Sequence, residues 1–294
     1  MARRRRGGAG RAAVGQGVAG VLVSFAEPFA LTDRDFERVR RLIHDYAGIS
    51  LGEQKRSMVY NRLVRRLRAH GGVAFERYLD LVQDAGSGER EAFVNALTTN
   101  LTAFFREPHH FELLARRARA ARERGAGAMR IWSSACSTGE EAWSIAMVMR
   151  EAGQPAEILA TDIDSDVLAA AREGVYPAER VSGLAPERLQ RHFLRGTGGK
   201  EGFVRIRAEL RTMVRFAQFN LQGEQWPAPG RFDAIFCRNV VIYFEREAQR
   251  RLAGRLAAAL APGGLLLVGH AESFPSAHPA FRPCGRTAYE SSGC

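Results

Sequence analysis

The residues of this chain that could do chemistry sit where short apolar runs end. The first group is Ser134-Ala135-Cys136-Ser137-Thr138-Gly139-Glu140-Glu141, a small-residue turn between an apolar run and a helical pattern. Such a turn lets a ligand approach the backbone and the N-terminus of the helix behind it. It lacks the full G-x-G-x-x-G fingerprint, with only Gly139 present, and its two carboxylates would repel a pyrophosphate. They suit a cationic ligand group, such as the amino group of a methionine moiety; equally, Glu140 and Glu141 need do no more than favour a helix N-terminus through its dipole. About twenty residues further on, Thr161-Asp162-Ile163-Asp164 ends a second run, where an acidic residue can accept hydrogen bonds from ribose hydroxyls. Asp164 reads as the N-cap of the next helix, which leaves Asp162 as the ligand candidate. Asn220, Arg238 and Asn239 end two further runs. In an open parallel sheet all of these gather beyond the carboxyl ends of the strands, where ligands bind.

Other chemistries find little support. The four cysteines, Cys136, Cys237, Cys284 and Cys294, are widely spaced and form no CxxC or Cys/His cluster. No metal site or disulfide framework is expected, and a reducing cytoplasm fits. No Ser/His/Asp or Cys/His set stands out as a nucleophile with its base. The net charge is +11, carried almost entirely by arginine, with Lys55 and Lys200 the only lysines. Arg3, Arg4, Arg5, Arg6 and Arg11 account for five of these charges, so the rest carries +6. That balance favours an acidic partner without identifying one.

The elements that must position these residues follow from periodicity. Residues 1–28 read as a disordered basic tail; the arginine run followed by Val18-Ala19-Gly20-Val21-Leu22-Val23 imitates a secretory signal, but its apolar part is short and interrupted by glycine. No stretch approaches the ~20 apolar residues of a membrane span, so no membrane insertion is expected. Thr32-Asp33-Arg34-Asp35 has capping-box form and opens a helix with Phe36, Val39, Leu42, Ile43 and Tyr46 at helical spacing. A second helix from about Lys55 aligns Tyr60, Leu63, Val64 and Leu67, with Arg62, Arg65, Arg66 and Arg68 forming a basic face. Two more helical patterns run from Ala74 to Asp84 and from Arg90 to Thr98. After Met129 the pattern changes to apolar runs alternating with helices: Ile131–Ser134, Ile158–Thr161, Val214–Phe216, Phe232–Phe236 and Leu265–Val268. Alternation of that kind predicts βαβ units and a parallel sheet. Between Tyr176 and Asn220 the rhythm breaks, and Phe203-Val204-Arg205-Ile206-Arg207 alternates like an exposed strand of a small antiparallel insertion.

Several stretches together resemble the chemotaxis receptor glutamate methyltransferases. They are Leu97-Thr98-Thr99-Asn100-Leu101-Thr102-Ala103-Phe104-Phe105-Arg106-Glu107, Ser137-Thr138-Gly139-Glu140-Glu141, Thr161-Asp162-Ile163-Asp164, Phe236-Cys237-Arg238-Asn239 and Ile242-Tyr243-Phe244. They occur in the family's order, and the resemblance spans Leu31 to Tyr289. It implies an α/β fold: a Rossmann-like doubly wound methyltransferase domain with an N-terminal helical domain and a small inserted antiparallel β-subdomain. The expected boundaries are 29–105 for the helical domain and 106–294 for the methyltransferase domain, with the β-subdomain at about 188–215. The cofactor implied is S-adenosylmethionine, leaving S-adenosylhomocysteine. By the same resemblance Asn100, Thr102 and Arg106 lie against the cofactor and Glu141 holds its amino group. Asp162 holds the ribose, Asn220 and Leu221 the adenine side, and Arg238 and Asn239 complete the site. Arg106 and Tyr243 are the catalytic candidates nearest the transferred methyl, unless Tyr243 is simply a core aromatic between Ile242 and Phe244.

The implied reaction is an in-line displacement on a sulfonium. A glutamate of ordinary pKa, ~4.3, is already a nucleophile at neutral pH. No general base is needed, and the enzyme's task is alignment, worth on the order of 7–11 kcal/mol. By the same resemblance the expected partners are cytoplasmic receptor helices, met by the basic face of the second helix unless that face is simply solvated, and, as in some members of the family, a receptor C-terminal peptide added at an edge such as Phe203–Arg207, unless that strand only completes the small sheet. A cytoplasmic monomer recruited to membrane receptors, with no specific nucleic acid, is the expected setting. Two other readings compete. A nucleic-acid methyltransferase would suit the arginine content, but base-amine enzymes often carry an Asn/Asp-Pro-Pro-aromatic loop where this chain has Arg238-Asn239-Val240-Val241. The other is a non-catalytic receptor scaffold or sensor that binds the cofactor, and the complete motif set argues against it.

Overall fold

The computed structural model describes residues 29–226, 232–273 and 278–292; the arginine-rich segment read as a tail lies outside them. Four helices come first: α1 (Asp33–Ala47), α2 (Arg56–Ala69), α3 (Phe75–Gln83) and α4 (Glu89–Leu97). The expected capping box opens α1, with the Thr32 side chain accepting from the Asp35 amide and Asp35 accepting from the Thr32 amide. Phe36, Val39 and Ile43 of α1, Val59, Leu63 and Leu67 of α2, Phe75 and Leu79 of α3 and Phe93 of α4 bury one shared core. Each helix supplies an apolar stripe that none could bury alone.

The remainder is a seven-stranded sheet with helices on both faces. Its strands are β1 (Met129–Ser133), β2 (Ala156–Asp162), β6 (Val214–Gln218), β7 (Phe232–Cys237), β8 (Leu260–Val268), β9 (Phe281–Gly285) and β10 (Ala288–Ser291). The order is β6-β2-β1-β7-β8-β10-β9. The first five are parallel, and β10 runs antiparallel to both β8 and β9. Side chains alternate between the two faces, as the two-residue period of a strand requires. Ile131, Ala234, Phe236, Leu265 and Leu267 pack with α5 (His109–Glu123) and α6 (Glu140–Ala152). Trp132, Ile235, Leu266 and Val268 pack with Leu252 and Leu256 of α10 (Arg246–Ala259) on the other face. Burial on both faces is why these strands read as unbroken apolar runs.

A second sheet of three antiparallel strands follows α7 (Ser165–Glu173): β3 (Val175–Pro177), β4 (Phe193–Arg195) and β5 (Phe203–Ile206), in the order β3-β5-β4. Helix α8 (Pro186–His192) leads into β4, and α9 (Ala208–Arg211) follows β5. Two expectations are corrected here. The small sheet draws its first strand from upstream of residue 188, and Val214 onward belongs to the large sheet. Three residues at the foot of α7 are too few to show an alternation of their own; β5 makes them a strand by pairing Tyr176 with Val204. The Phe203–Arg207 segment is also no edge, because β5 is hydrogen-bonded on both sides, leaving β3 and β4 as the edges.

The basic face of α2 is likewise smaller than its sequence suggests. Arg62 donates to the carbonyls of Leu97 (3.0 Å) and Thr98 and to Thr99 Oγ1 (3.2 Å). Arg66 grips the buried Glu89 through two bonds of 2.8 and 2.7 Å. Only Arg65 and Arg68 of the four remain exposed. A guanidinium that caps carbonyls or neutralises a buried carboxylate has found its partner inside the fold.

Candidate active site

The strand order reverses at β1, which pairs with β2 on one side and β7 on the other. Beyond the carboxyl ends of these strands opens a cavity of about 1260 Å³, counted with its mouth, and the α1–α2 loop closes it from the helical side. Asn100, Thr102, Arg106, Glu141, Asp162, Asn220, Leu221, Arg238, Asn239 and Tyr243 all line it. Sequence reasoning missed the helical wall, Ile49, Ser50, Leu51, Lys55 and Met58.

The turn after β1 is shaped by its neighbours. Gly139 has φ +94°, and a Cβ there would stand 2.8 Å from Ala171 Cβ of α7, so the helix behind the turn demands glycine. Ser137, also at positive φ, points its amide at Asp162 Oδ2 (2.8 Å), while Asp162 Oδ1 accepts from the Asp164 amide (3.1 Å). Burial pushes the Asp162 carboxyl up to about 6, against the pull of the Asp164 and Ser137 amides. Asp164 caps α7 through the amides of Asp166 (3.0 Å) and Val167 (3.3 Å). Its other oxygen accepts from Thr98 Oγ1 (2.6 Å) and Asn100 Nδ2 (2.7 Å), tying the segment after α4 to the sheet.

Glu140 and Glu141 part ways. Glu140 is fully buried outside the cavity wall, bonded to Thr138 Oγ1 at 2.6 Å and paired with Arg180. Glu141 lines the cavity, taking a bond from Ser133 Oγ (2.6 Å) and one from Arg238 Nη1 (2.9 Å). Arg238 is 5% exposed, donates to the Arg106 carbonyl and stands 3.6 Å from Glu107 Oε2. Burial raises the Glu141 carboxyl despite Arg238, because this group is enclosed on all sides. Burial also pushes Glu107 upward, but Arg238 and His270 outweigh it and hold that carboxyl below the usual range. Glu107 lies within 4.8 Å of His109 and His110 ligand atoms, the one potential metal-binding group among the described residues. Arg238 already supplies the cation there, and burial with Arg238 pushes His110 down to about 3.

On the far wall, Asn220 Nδ2 donates to the Tyr46 carbonyl (2.8 Å) and its Oδ1 accepts from the Gln222 amide (2.9 Å). Arg106 donates to the Leu101 carbonyl at 2.9 Å. Tyr243 ends a short 3₁₀ turn, half-buried: its ring packs against the α10-side core and also lines the cavity. Its carbonyl accepts from the Ser50 amide (2.8 Å), joining the helical part to the loop after β7.

Comparison with known proteins matches residues 100–289 to the SAM-binding domain of CheR methyltransferases and residues 34–98 to their all-alpha domain. The chain belongs to the CheR methyltransferase family. It is 49% identical over 278 residues to the chemotaxis protein methyltransferase of Escherichia coli K12, covering 93% of this chain and 96% of that one. It is 48% identical over 267 residues to chemotaxis protein methyltransferase 2 of Pseudomonas aeruginosa, covering 90% and 95%. This CheR chain is a methyltransferase with S-adenosylmethionine as its methyl donor. The cavity's own chemistry fits that cofactor. Carboxylates of Glu141 and Asp162 face it beside the apolar Ile163, Phe219 and Leu221, with no glycine-rich phosphate cradle. Such a lining offers acceptors to ribose hydroxyls and an apolar wall to a flat base, while Lys55, Arg106 and Arg238 bring positive charge to the same cavity.

Proposed function

We propose that this protein transfers the methyl group of S-adenosylmethionine to glutamate carboxylates on cytoplasmic helices of chemotaxis receptors, leaving methyl esters and S-adenosylhomocysteine. The observation that carries the reading is the company the ten cavity residues keep. No histidine or cysteine lines the cavity among the described residues, so it offers no such base, and a carboxylate is the nucleophile that needs none. Glu141 would hold the cofactor's amino group, Asp162 its ribose, and Asn220 and Leu221 its adenine side. Asn100, Thr102, Arg238 and Asn239 complete that enclosure. Arg106 orients the incoming carboxylate without a tight bidentate pair, which would damp its nucleophilicity, and Tyr243 shapes the methyl channel.

The division into a helical domain (29–105) and a methyltransferase domain (from 106), with the small sheet as an insertion, belongs to the same proposal. No helix of the described residues is long and apolar enough to cross a membrane, and we place the protein in the cytoplasm as a monomer recruited to receptors. A receptor C-terminal peptide would add to β3 or β4, the edges left open by β5.

Methyl-labelled S-adenosylmethionine incubated with receptor-containing membranes tests the reading. Base-labile label on the receptor is the expected result. Label on RNA would favour the nucleic-acid alternative, and cofactor binding without transfer would favour a scaffold. The surface of α2 gives a narrower expectation. The double substitution Arg65→Glu and Arg68→Glu should raise the KM for receptor several-fold, roughly 1 kcal/mol of lost attraction. The dissociation constant of S-adenosylhomocysteine should stay put, and an unchanged receptor KM would remove α2 from the docking surface.

A further inference from the structure

Arg238, Asn239 and Tyr243 stand on the loop that follows β7, and a buried side chain from a different segment holds that loop. Glu272, 5% exposed, follows β8 and carries no motif that marks it in the sequence. Its Oε2 accepts from the amides of Asn239 (2.8 Å) and Gly269 (2.6 Å), and its Oε1 from those of Val240 (2.9 Å) and Val241 (2.7 Å). Four backbone donors converge on one carboxylate, the arrangement in which an ionised acceptor is strongest. Asn239 sits at φ +59°, a left-handed conformation that a non-glycine residue adopts at a cost. The neighbouring position admits no side chain: a Cβ on Gly269 would meet the Asn239 side-chain amide and lie 2.9 Å from both Asn239 N and Glu272 Oε2.

We propose that Glu272 is a positioning residue, a carboxylate clamp that fixes the Asn239–Val241 backbone and so sets Asn239 and Tyr243 in the cavity wall. It does not line the cavity and acts through the loop. The inference rests on the reading that Asn239 faces the cofactor. Its chemistry requires two oxygens that both accept. In Glu272→Gln one becomes an NH₂ facing two N–H donors, so half the clamp turns from attraction to repulsion.

The test is titration of S-adenosylhomocysteine into the full chain by calorimetry, at a temperature where every variant is folded by circular dichroism. Glu272→Gln should bind on the order of 10- to 100-fold more weakly, the scale of a small displacement in a preorganised site. Gly269→Ala keeps the carboxylate and only crowds the clamp; it should weaken binding in the same way, and it carries the test if Glu272→Gln does not fold. Leu256→Ala, in the α10 core away from the cavity, should lower Tm yet bind as the parent does. Asn239→Ala separates the clamp from the reading it rests on. Weakened binding in Asn239→Ala with parental binding in folded Glu272→Gln or Gly269→Ala overturns the clamp. Parental binding in Asn239→Ala overturns the placement of Asn239 instead. A loss in Leu256→Ala equal to that in Glu272→Gln would reduce the effect to general destabilisation and also overturn the proposal.

Discussion

Replacing Arg238 with methionine should destabilise the protein by about 3–5 kcal/mol at neutral pH, the usual consequence of removing one partner from a buried ion pair. The guanidinium stands between Glu141 at 2.9 Å and Glu107 at 3.6 Å, and its Nη2 also donates to the Arg106 carbonyl. Methionine can fill the space over the Phe111 ring, which the guanidinium carbon now approaches at 5.8 Å from the centroid, but it leaves the buried Glu141 and the half-buried Glu107 without the guanidinium. The cost therefore lies in the abandoned charges rather than in lost packing.

The pH dependence tests that attribution. Arg238 helps hold the folded-state Glu107 carboxyl below its ordinary range, so Glu107 contributes stability above its unfolded pKa that is lost as pH falls through its folded one. In Arg238→Met both Glu107 and Glu141 lose the cation, and both folded-state pKa values rise. The variant then takes up protons on folding as the medium is acidified. The gap to the parent should be largest near neutrality and shrink towards pH 5, and urea melts at the two pH values measure it. Adding Glu141→Gln should recover part of the loss at pH 7, because one of the stranded charges is gone. A single variant within about 1 kcal/mol of the parent at pH 7 would show that Arg238 is not the counter-ion of this core.

How much of this was legible before folding depends on whether a residue's partner is near in sequence. The parallel strands were legible because Ile131–Trp132 and Leu265–Val268 send alternate side chains into two apolar layers, so burial leaves an unbroken apolar run. Asp164 was legible as a cap because its partners, the amides of Asp166 and Val167, are two and three residues away. The three-stranded sheet was mislocated because β3 is three residues long and owes its existence to Val204, 28 positions downstream of Tyr176. Arg62 and Arg66 looked like a solvent-facing surface because nothing local shows that Leu97 and Glu89 will come to meet them. Glu272 was invisible for the same reason. A carboxylate that takes three of its four backbone amides from about thirty residues away has no side-chain pattern to announce it. The cavity's strand-end residues were easier, since the parallel fold itself sends them to one place; its helical wall depends on how Ser50 docks on Tyr243.

Asp162→Asn should weaken S-adenosylhomocysteine binding by about 1.5–3 kcal/mol, the worth of hydrogen bonds to a charged acceptor, or roughly ten- to a hundredfold. The effect has two sources. The amide is neutral towards ribose hydroxyls, and its NH₂ would confront the amide of either Ser137 or Asp164, each of which now donates to the carboxylate. The stronger signature is in the pH profile. Burial raises the Asp162 carboxyl from 3.8 to about 6, so without ligand this group favours the folded state below that range and its advantage fades as pH rises from about 4 through 6. Hydroxyls that donate to Asp162 favour its ionised form and bring its pKa back down. Binding must then expel a proton wherever the free site is protonated: affinity should climb as pH rises through about 6 and level off above it. Titrations at pH 5.5 in two buffers of different ionisation enthalpy should reveal that release as a difference in apparent binding enthalpy, and the difference should shrink in Asp162→Asn. Equal affinity at acid and neutral pH in the parent, with no proton released, would mean that the ribose is held by some other group and that Asp162 serves only to fasten the turn at Ser137.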